Sequence, residues 1–114
     1  GENKMRSFKI IGLAFLLCLL LASSVLAHKV NLFAYVEGGR IYTESYFPDG
    51  RPVTEGRVEL RDSTEQLLVS GMSDDQGLYD CDIPEVTDLT IHIIASMGHR
   101  NSFILNKTEI EAGQ

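Results

Sequence analysis

The sequence predicts an all-β fold, a seven-stranded antiparallel two-sheet sandwich that follows a cleaved signal peptide. Three observations predict it. Apolar and polar residues alternate along short segments, turn-forming residues recur every 8 to 12 residues, and no segment after residue 27 has the sustained apolar period of a helix. Each sheet of a sandwich buries one face, which is why the alternation is visible in the sequence.

The first 27 residues have the order of parts expected of an export signal. A basic region precedes an apolar or small-residue run of 13, Ile10 to Ala22, and Val25 and Ala27 then stand at the −3 and −1 positions that a signal peptidase reads. Residues 1–4, before Met5, are interpreted as residues left by cloning or as an upstream start. A retained membrane anchor is the alternative, but a spanning helix needs about 20 apolar residues. We expect cleavage after Ala27 and export to the periplasm or the outer face of the cytoplasmic membrane.

The predicted strands follow in order within a sandwich domain of residues 28–107. The first strand alternates through Val30 to Glu37, and Gly38-Gly39 permits the positive φ angles of a tight hairpin turn. The chain returns through a second strand and breaks at a turn that contains two prolines, residues 48–52. The predicted second to seventh strands are Ile41–Phe47, Arg57–Asp62, Gln66–Met72, Leu78–Ile83, Leu89–Met97 and Asn101–Asn106. Residues 108–114 are predicted to be a polar, frayed C-terminal tail.

The register of the first hairpin predicts which side chains share a face. Pairing around Gly38-Gly39 places Tyr35 opposite Tyr42 and Phe33 opposite Glu44. The aromatic residues that then share one sheet face are Phe33, Tyr35, Tyr42 and Tyr46, and we expect this face to serve as a docking surface for a membrane partner. Continued further, the same register places His28 opposite Asp49.

Composition and charge limit the function. Removal of residues 1–27 leaves 114 − 27 = 87 residues with a formal charge of 7 − 15 = −8, which argues against nucleic acid or an anionic lipid surface as a partner and favours metal cations. Cys81 is the only cysteine left, so no internal disulfide can form, and we expect a buried, inert thiol. No pattern of an enzyme's nucleophile and base, and no phosphate loop, is present, so we expect no enzymatic activity.

One resemblance concerns the fold. Three segments are similar to the carboxypeptidase regulatory-like, or transthyretin-like, sandwich domains: the turn Gly50-Arg51-Pro52-Val53, the strand Val58-Glu59-Leu60 and the turn Ser73-Asp74-Asp75-Gln76-Gly77-Leu78-Tyr79. These segments cover about a third of the chain. The resemblance implies a sandwich fold and carries no function.

A second resemblance is narrower and does imply a function. Parts of the predicted mature chain are similar to the small exported accessory components of nickel/cobalt uptake transporters of the energy-coupling-factor type. These parts are His28 to Gly38, Glu44–Phe47, and Asp88–Ile91 leading to Met97–Arg100. The resemblance implies a periplasmic accessory protein that binds nickel or cobalt, with membrane transporter subunits as its partners.

The candidate metal ligands are His28, His99, Asp49 and Glu44. If cleavage exposes His28, its α-amine and imidazole Nδ1 can close a six-membered chelate ring, which suits Ni²⁺, Co²⁺ or Cu²⁺. These donors must lose protons to bind, so binding should weaken below about pH 6. His99 lies at a predicted bend, where a rigid sheet can present it. Asp49 and Glu44 are candidate oxygen donors. His92 lies roughly 16 Å from the bend along its strand, too far to share an ion with His99.

Three functions therefore remain open at the level of the sequence. The first is the metal-binding accessory protein just described. The second is a non-catalytic binding module that recognises a surface polymer or a protein partner through the aromatic face. The third is a copper-handling protein that uses an N-terminal histidine, and it differs from the first only in the ion that is bound.

Overall fold

The computed structural model describes residues 29–114, which form two antiparallel β-sheets and one short helix. One sheet has three strands in the order β1-β2-β5, and the other has four in the order β4-β3-β6-β7. The predicted seven-stranded antiparallel sandwich is therefore confirmed. The strands are β1 Asn31–Glu37, β2 Arg40–Tyr46, β3 Arg57–Arg61, β4 Leu67–Met72, β5 Leu78–Asp82, β6 Leu89–Ile94 and β7 Arg100–Leu105.

The β1–β2 hairpin has the predicted turn and register. Gly38 and Gly39 have φ angles of 58° and 80°, which a residue with a Cβ atom rarely adopts. The hairpin pairs Tyr35 with Tyr42 and Phe33 with Glu44, as predicted. On its other side β2 pairs with β5, so each cross-strand row of outward side chains runs over β1, β2 and β5.

The core lies between the two sheets and uses the alternate residues that the sequence pattern marks. Its fully buried strand residues include Ile41 of β2, Leu60 of β3 and Ile91 of β6. Burial of each such side chain contributes roughly 1.5–3 kcal/mol. The buried hydrophobic residues are Val30, Leu32, Ala34, Ile41, Val53, Val58, Leu60, Leu89, Ile91, Ile93, Ala95, Leu105 and Ile110.

Two close contacts hold the strand ends together. The buried Ser73 hydroxyl donates a hydrogen bond to the Val53 carbonyl at 2.5 Å and accepts one from the Gly56 amide at 2.9 Å, which fixes the connection that leads into β3. Gly71 of β4 lies against the Tyr79 ring of β5, and an added Cβ atom would lie 2.3 Å from that ring. Because β4 and β5 belong to different sheets, this contact joins the sheets at one side of the sandwich.

The C-terminal segment differs from the predicted frayed tail. Lys107–Ala112 forms helix α1, whose first turn is capped by the Asn106 side chain, which accepts a hydrogen bond from the Glu109 amide at 2.9 Å. Ile110 is completely buried, and the Gly39 amide donates a hydrogen bond to the Gly113 carbonyl at 2.9 Å. The frayed-tail prediction is wrong because a single buried isoleucine in a short polar segment gives no detectable apolar period.

The connection between β6 and β7 is a tight turn rather than a simple bend. The predicted sixth strand reached Met97, but β6 ends at Ile94 and Ser96–Gly98 forms a 3₁₀ turn. Met97 and Gly98 have φ angles of 63° and 76°, so two consecutive residues adopt the left-handed conformation and reverse the chain. Within residues 29–114 no helix is long and apolar enough to cross a membrane. The predicted signal peptide lies outside the described residues.

Candidate functional site

A groove opens at the end of the sandwich where β2 leaves its sheet and β6 turns into β7. We call it the end groove. The β2–β3 connection forms one wall and the Ser96–Gly98 turn with His99 forms the other. The lining residues are Phe47, Pro48, Asp49, Arg51, Pro52, Thr54, Ser96, Met97 and His99. Two of the four predicted metal ligands, His99 and Asp49, therefore line the same opening.

The Asp49 carboxylate in the end groove is held by Arg51. It accepts hydrogen bonds from the Arg51 amide at 3.1 Å and from Arg51 Nε at 2.7 Å. The Arg51 guanidinium also lies 5.0 Å from the centre of the Phe47 ring. The hydrogen bond from the Arg51 amide, followed by the one from its side chain, lowers the pKa of Asp49. Asp49 is therefore ionised at neutral pH, but a metal ion would have to share it with Arg51.

His99 enters the end groove from the β6–β7 turn. Its amide donates to the Ser96 carbonyl at 3.3 Å, and its carbonyl accepts from the Ala95 amide at 2.7 Å, so the turn fixes the backbone on both sides of the ring. The His99 ring meets the Phe47 ring edge-on, with the ring centres 5.8 Å apart. Beside it, the Met97 side chain is 92% exposed. The turn thus presents an imidazole and a thioether side by side at the rim of the groove.

The start of the described chain lies close to this turn. The Asn101 side-chain amide donates a hydrogen bond to the Val30 carbonyl at 2.7 Å, and Asn101 follows His99 by two residues. His28 precedes Val30 by two residues, but it lies outside the described residues, and so does its predicted pairing with Asp49.

The other two candidate positions lie elsewhere. Glu44 is on the outer face of β2, between Phe33 and Leu78 in the adjacent strands, and it does not line the end groove. His92 is on the outer face of β6, between Glu59 and Ser102, and it does not line the end groove either. Among residues 29–114 no group of three or more His, Cys, Asp or Glu side chains is placed to hold a metal ion.

The predicted aromatic face is the outer surface of the β1-β2-β5 sheet. Tyr35 and Tyr42 stack with their ring centres 5.2 Å apart, and Phe33 lies 6.1 Å from Tyr46. Phe33 and Tyr35 are 52% and 47% exposed, so this set of rings faces solvent. Acidic residues surround the rings, and the outward charged residues of the three strands are Glu37, Arg40, Glu44, Asp80 and Asp82. Their sum is one positive and four negative charges.

The opposite outer surface, that of the β4-β3-β6-β7 sheet, carries a feature that the sequence analysis missed. Arg57 and Arg61 of β3 and Arg100 of β7 share this surface with Glu59 and His92, and we call it the arginine face. The arginines stand at outward positions of the strand pattern, but only the register shows that they share one surface. The formal charge of −8 does not reveal this cluster of arginines, because it is a sum over all sides of the domain.

Glu59 lies at the centre of the arginine face and is almost buried. Its two carboxylate oxygens accept hydrogen bonds from Arg57 Nε at 2.7 Å and from Arg61 Nη2 at 3.1 Å. The bond from Arg57, followed by that from Arg61, lowers the pKa of Glu59. The ionised carboxylate therefore holds both guanidinium groups along the surface of the sheet.

Cys81 faces the interior from β5 and is half-buried. Removal of the thiol from water is the main cause that raises its pKa. A neutral thiol of this kind is a poor nucleophile and a poor metal ligand at neutral pH. The expectation of a buried thiol is met in part, since the side chain packs at the margin of the core rather than inside it.

Comparison with known proteins provides one relative and no function. The chain is 27% identical over 110 residues to an uncharacterised protein of Haemophilus influenzae, an alignment that covers 94% of this chain and 67% of the relative. No family model matches, and no solved structure matches. The resemblances to the transthyretin-like domains and to the nickel/cobalt transporter components therefore stay predictions.

Proposed function

We propose that this protein is a periplasmic accessory protein that binds a nickel or cobalt ion for a membrane uptake transporter. The observation that carries the proposal is the end groove, where His99 and Asp49 line one opening. Asn101, two residues after His99, is hydrogen-bonded to Val30, near the start of the described residues. Nitrogen donors with an additional carboxylate suit borderline ions such as Ni²⁺ and Co²⁺.

The proposed ion is held by the α-amine and Nδ1 of His28 together with the imidazole of His99. Two extended residues span at most about 7 Å, so a chain that begins at His28 begins within that distance of Val30. The Val30 carbonyl accepts a hydrogen bond from the Asn101 side chain, and Asn101 is two residues from His99. These short separations along the chain support a site that a terminal His28 shares with His99. The charge of 7 − 15 = −8 on residues 28–114 raises the local concentration of cations around the groove.

Isothermal titration calorimetry with Ni²⁺ tests the ligand set on the segment from His28 to Gln114. We expect His28→Ala, His99→Ala and a version with one glycine added before His28 each to bind more weakly, because each removes a donor or the terminal chelate ring. His92→Ala is the matched control, since it removes a histidine from a different surface. Equal affinity in the three altered proteins and the unaltered one would refute the proposal.

Arg51 provides a second and opposite test. Arg51→Ala removes a positive charge from the end groove and releases the Asp49 carboxylate. A unit charge about 8 Å from a divalent ion in a water-like medium contributes about 1 kcal/mol, so we expect roughly fivefold tighter Ni²⁺ binding. The double variant Arg51→Ala with Asp49→Asn should lose part of this gain. Weaker binding by Arg51→Ala would show that Asp49 and Arg51 do not border the ion.

The affinity measured in solution does not identify the transported metal. The same donors bind Cu²⁺ more tightly than Ni²⁺ or Co²⁺, so a copper-handling protein would give a similar titration. Metal accumulation in cells that lack this protein distinguishes the two. Loss of nickel or cobalt uptake with unchanged copper tolerance supports the proposal, and the reverse result supports the copper function.

A second candidate function is a binding module that uses the aromatic face. It is favoured by the exposure of Phe33 and Tyr35, each of which packs against a tyrosine of β2, since large exposed aromatic side chains commonly mark interaction surfaces. In this case Ni²⁺ should leave the melting temperature unchanged, and Tyr42→Ser or Tyr46→Ser should abolish partner binding. The Tyr42 and Tyr46 variants would leave Ni²⁺ affinity unchanged if only the first proposal holds.

A further inference from the structure

The arginine face combines positive charge with exposed aliphatic side chains. Arg57 and Arg100 lie in one cross-strand row, on either side of Ile94, and Met72 is at the end of that row on the edge strand β4. Ile104 stands on the other edge strand, β7. Met72 is 59% exposed and Ile104 67% exposed, so apolar groups flank the arginines at both edges of the sheet.

The charge on this face is opposite to that of the rest of the domain. The outward strand positions carry three arginines and one carboxylate, Glu59, and sum to 3 − 1 = +2. Glu65, on the connection between β3 and β4, borders the same face beside Arg61 and His92, so the face as a whole sums to 3 − 2 = +1. Residues 29–114 carry seven basic and fifteen acidic residues, so everything outside this face sums to −8 − 1 = −9. The Glu59 carboxylate holds Arg57 and Arg61 along the surface, which reduces the entropy lost when the arginines meet a ligand.

From this arrangement we infer, against the expectation from the net charge of −8, that the arginine face docks the domain onto an anionic lipid surface. Guanidinium groups pair with lipid phosphates, and the flanking Met72 and Ile104 side chains insert into the interfacial layer. A lipid surface suits the face better than an acidic protein segment, because apolar groups at both edges of a sheet face can enter a continuous layer together. Three arginines with two carboxylates, Glu59 and Glu65, give about 1 kcal/mol of electrostatic attraction, before any apolar contribution.

Screening determines whether the acidic remainder of the domain prevents this docking. Packed sheets lie about 10 Å apart, and the Debye length at physiological ionic strength is about 8 Å. The acidic opposite face is then largely screened from a membrane that touches the arginine face. At about 0.01 M salt the Debye length of about 30 Å exceeds the thickness of the domain, and the net negative charge repels the membrane. Binding should therefore be strongest at intermediate ionic strength.

Vesicle cosedimentation of the segment from His28 to Gln114, without added metal, tests the inference. We expect binding to vesicles rich in phosphatidylglycerol and none to phosphatidylcholine vesicles, with a maximum near about 0.15 M salt and a decline toward about 0.01 M and 1 M. Each charge near an anionic surface changes affinity about fivefold, so Arg100→Glu should weaken binding about 30-fold. Ile104→Ser should weaken it without changing the salt dependence.

Lys107→Glu is the matched control, because it makes the same charge change on helix α1, which contacts β1 of the other sheet. It should leave vesicle binding within about twofold of the unaltered protein. The inference is overturned if phosphatidylglycerol vesicles do not bind at any ionic strength, or if Arg100→Glu and Lys107→Glu behave alike. Binding of a poly-glutamate peptide at Arg100 without vesicle binding would assign the face to an acidic protein partner and overturn it as well.

Membrane docking shares with the proposed function only the expected location at the outer face of the cytoplasmic membrane. Vesicle binding is measured without metal, and Ni²⁺ binding is measured without lipid. The substitutions also lie on different surfaces, with His99 in the end groove and Arg100 on the arginine face. Failure of either experiment therefore leaves the other interpretable.

Discussion

Replacement of Ile110 by alanine tests whether the C-terminal helix belongs to the fold. Ile110 is completely buried, although its neighbours along helix α1 are polar, and it joins the same core cluster as the strands. Deletion of three buried carbon atoms from a core isoleucine destabilises a protein by about 2–5 kcal/mol. Because a terminal helix can relax around the cavity, we expect the lower part of this range, about 2–3 kcal/mol.

This loss is large compared with a typical stability of about 5–15 kcal/mol for a whole domain. For a domain of this size, each kcal/mol shifts the melting temperature by about 4–8 °C, so Ile110→Ala should lower it by about 8–24 °C. Alanine has the higher helix propensity, which offsets the loss by only a few tenths of a kcal/mol. A lower melting temperature would therefore result from lost packing of Ile110 rather than from a lower helix propensity.

Thermal unfolding followed by circular dichroism measures the effect on the segment from His28 to Gln114. Thr108→Ala, an exposed position of the same helix, is the matched control and should change the stability by less than about 0.5 kcal/mol. A melting temperature within about 2 °C of the unaltered protein for Ile110→Ala would refute the reasoning. That result would show a frayed segment, as the sequence pattern predicts.

Three further predictions concern the sheets. Hydrogen bonds, chiefly the one from Arg57, lower the pKa of Glu59 in the folded protein. The ionised carboxylate therefore stabilises the fold above its unfolded pKa of about 4.3, and this stabilisation is lost as the pH falls through the lower folded pKa. Urea titrations should therefore show that Glu59→Gln reduces stability at pH 7 and flattens its pH dependence in acid. Gly71→Ala places a methyl group 2.3 Å from the Tyr79 ring and should lower the urea midpoint, while Ser70→Ala at the neighbouring exposed position should not. Burial raises the pKa of Cys81, so the thiol should react with a maleimide much more slowly in the folded protein than in urea at pH 8, and equal rates would contradict its packing.

The strands and the hairpin register were predictable because they depend on local, periodic signals. Alternation predicted the strands in which Leu32, Val58 and Ile91 are buried, and Gly38-Gly39 predicted the turn from which every cross-strand pair of β1 and β2 follows. Sheet membership was not predictable in this way. The pairing of β2 with β5, and of β3 with β6, joins segments that are far apart in the chain, and no short-range pattern specifies which strands meet.

The candidate sites also divide into those that follow from local sequence signals and those that depend on the sheet topology. The aromatic face follows from the register of one hairpin, so its four rings were identified from the sequence. The common location of His99 and Asp49 required the topology, because they lie on two connections that meet only after the sheets pack. The arginine face was missed for a related reason, since Arg100 joins Arg57 and Arg61 only through β6, which pairs with both β3 and β7.

The positions of the three surfaces on the sandwich determine how their proposed functions can coexist. The aromatic and arginine faces are the two outer surfaces of stacked sheets, so a domain docked on lipid through its arginines would direct the stacked Tyr35 and Tyr42 rings away from the membrane. The end groove opens between these two faces, at the strand ends, and lipid docking therefore leaves His99 accessible from the side. Each of the two docking faces can thus be occupied without blocking the groove. The arrangement is compatible with the protein that we propose, which would bind an ion while it is held between a membrane and a transporter subunit.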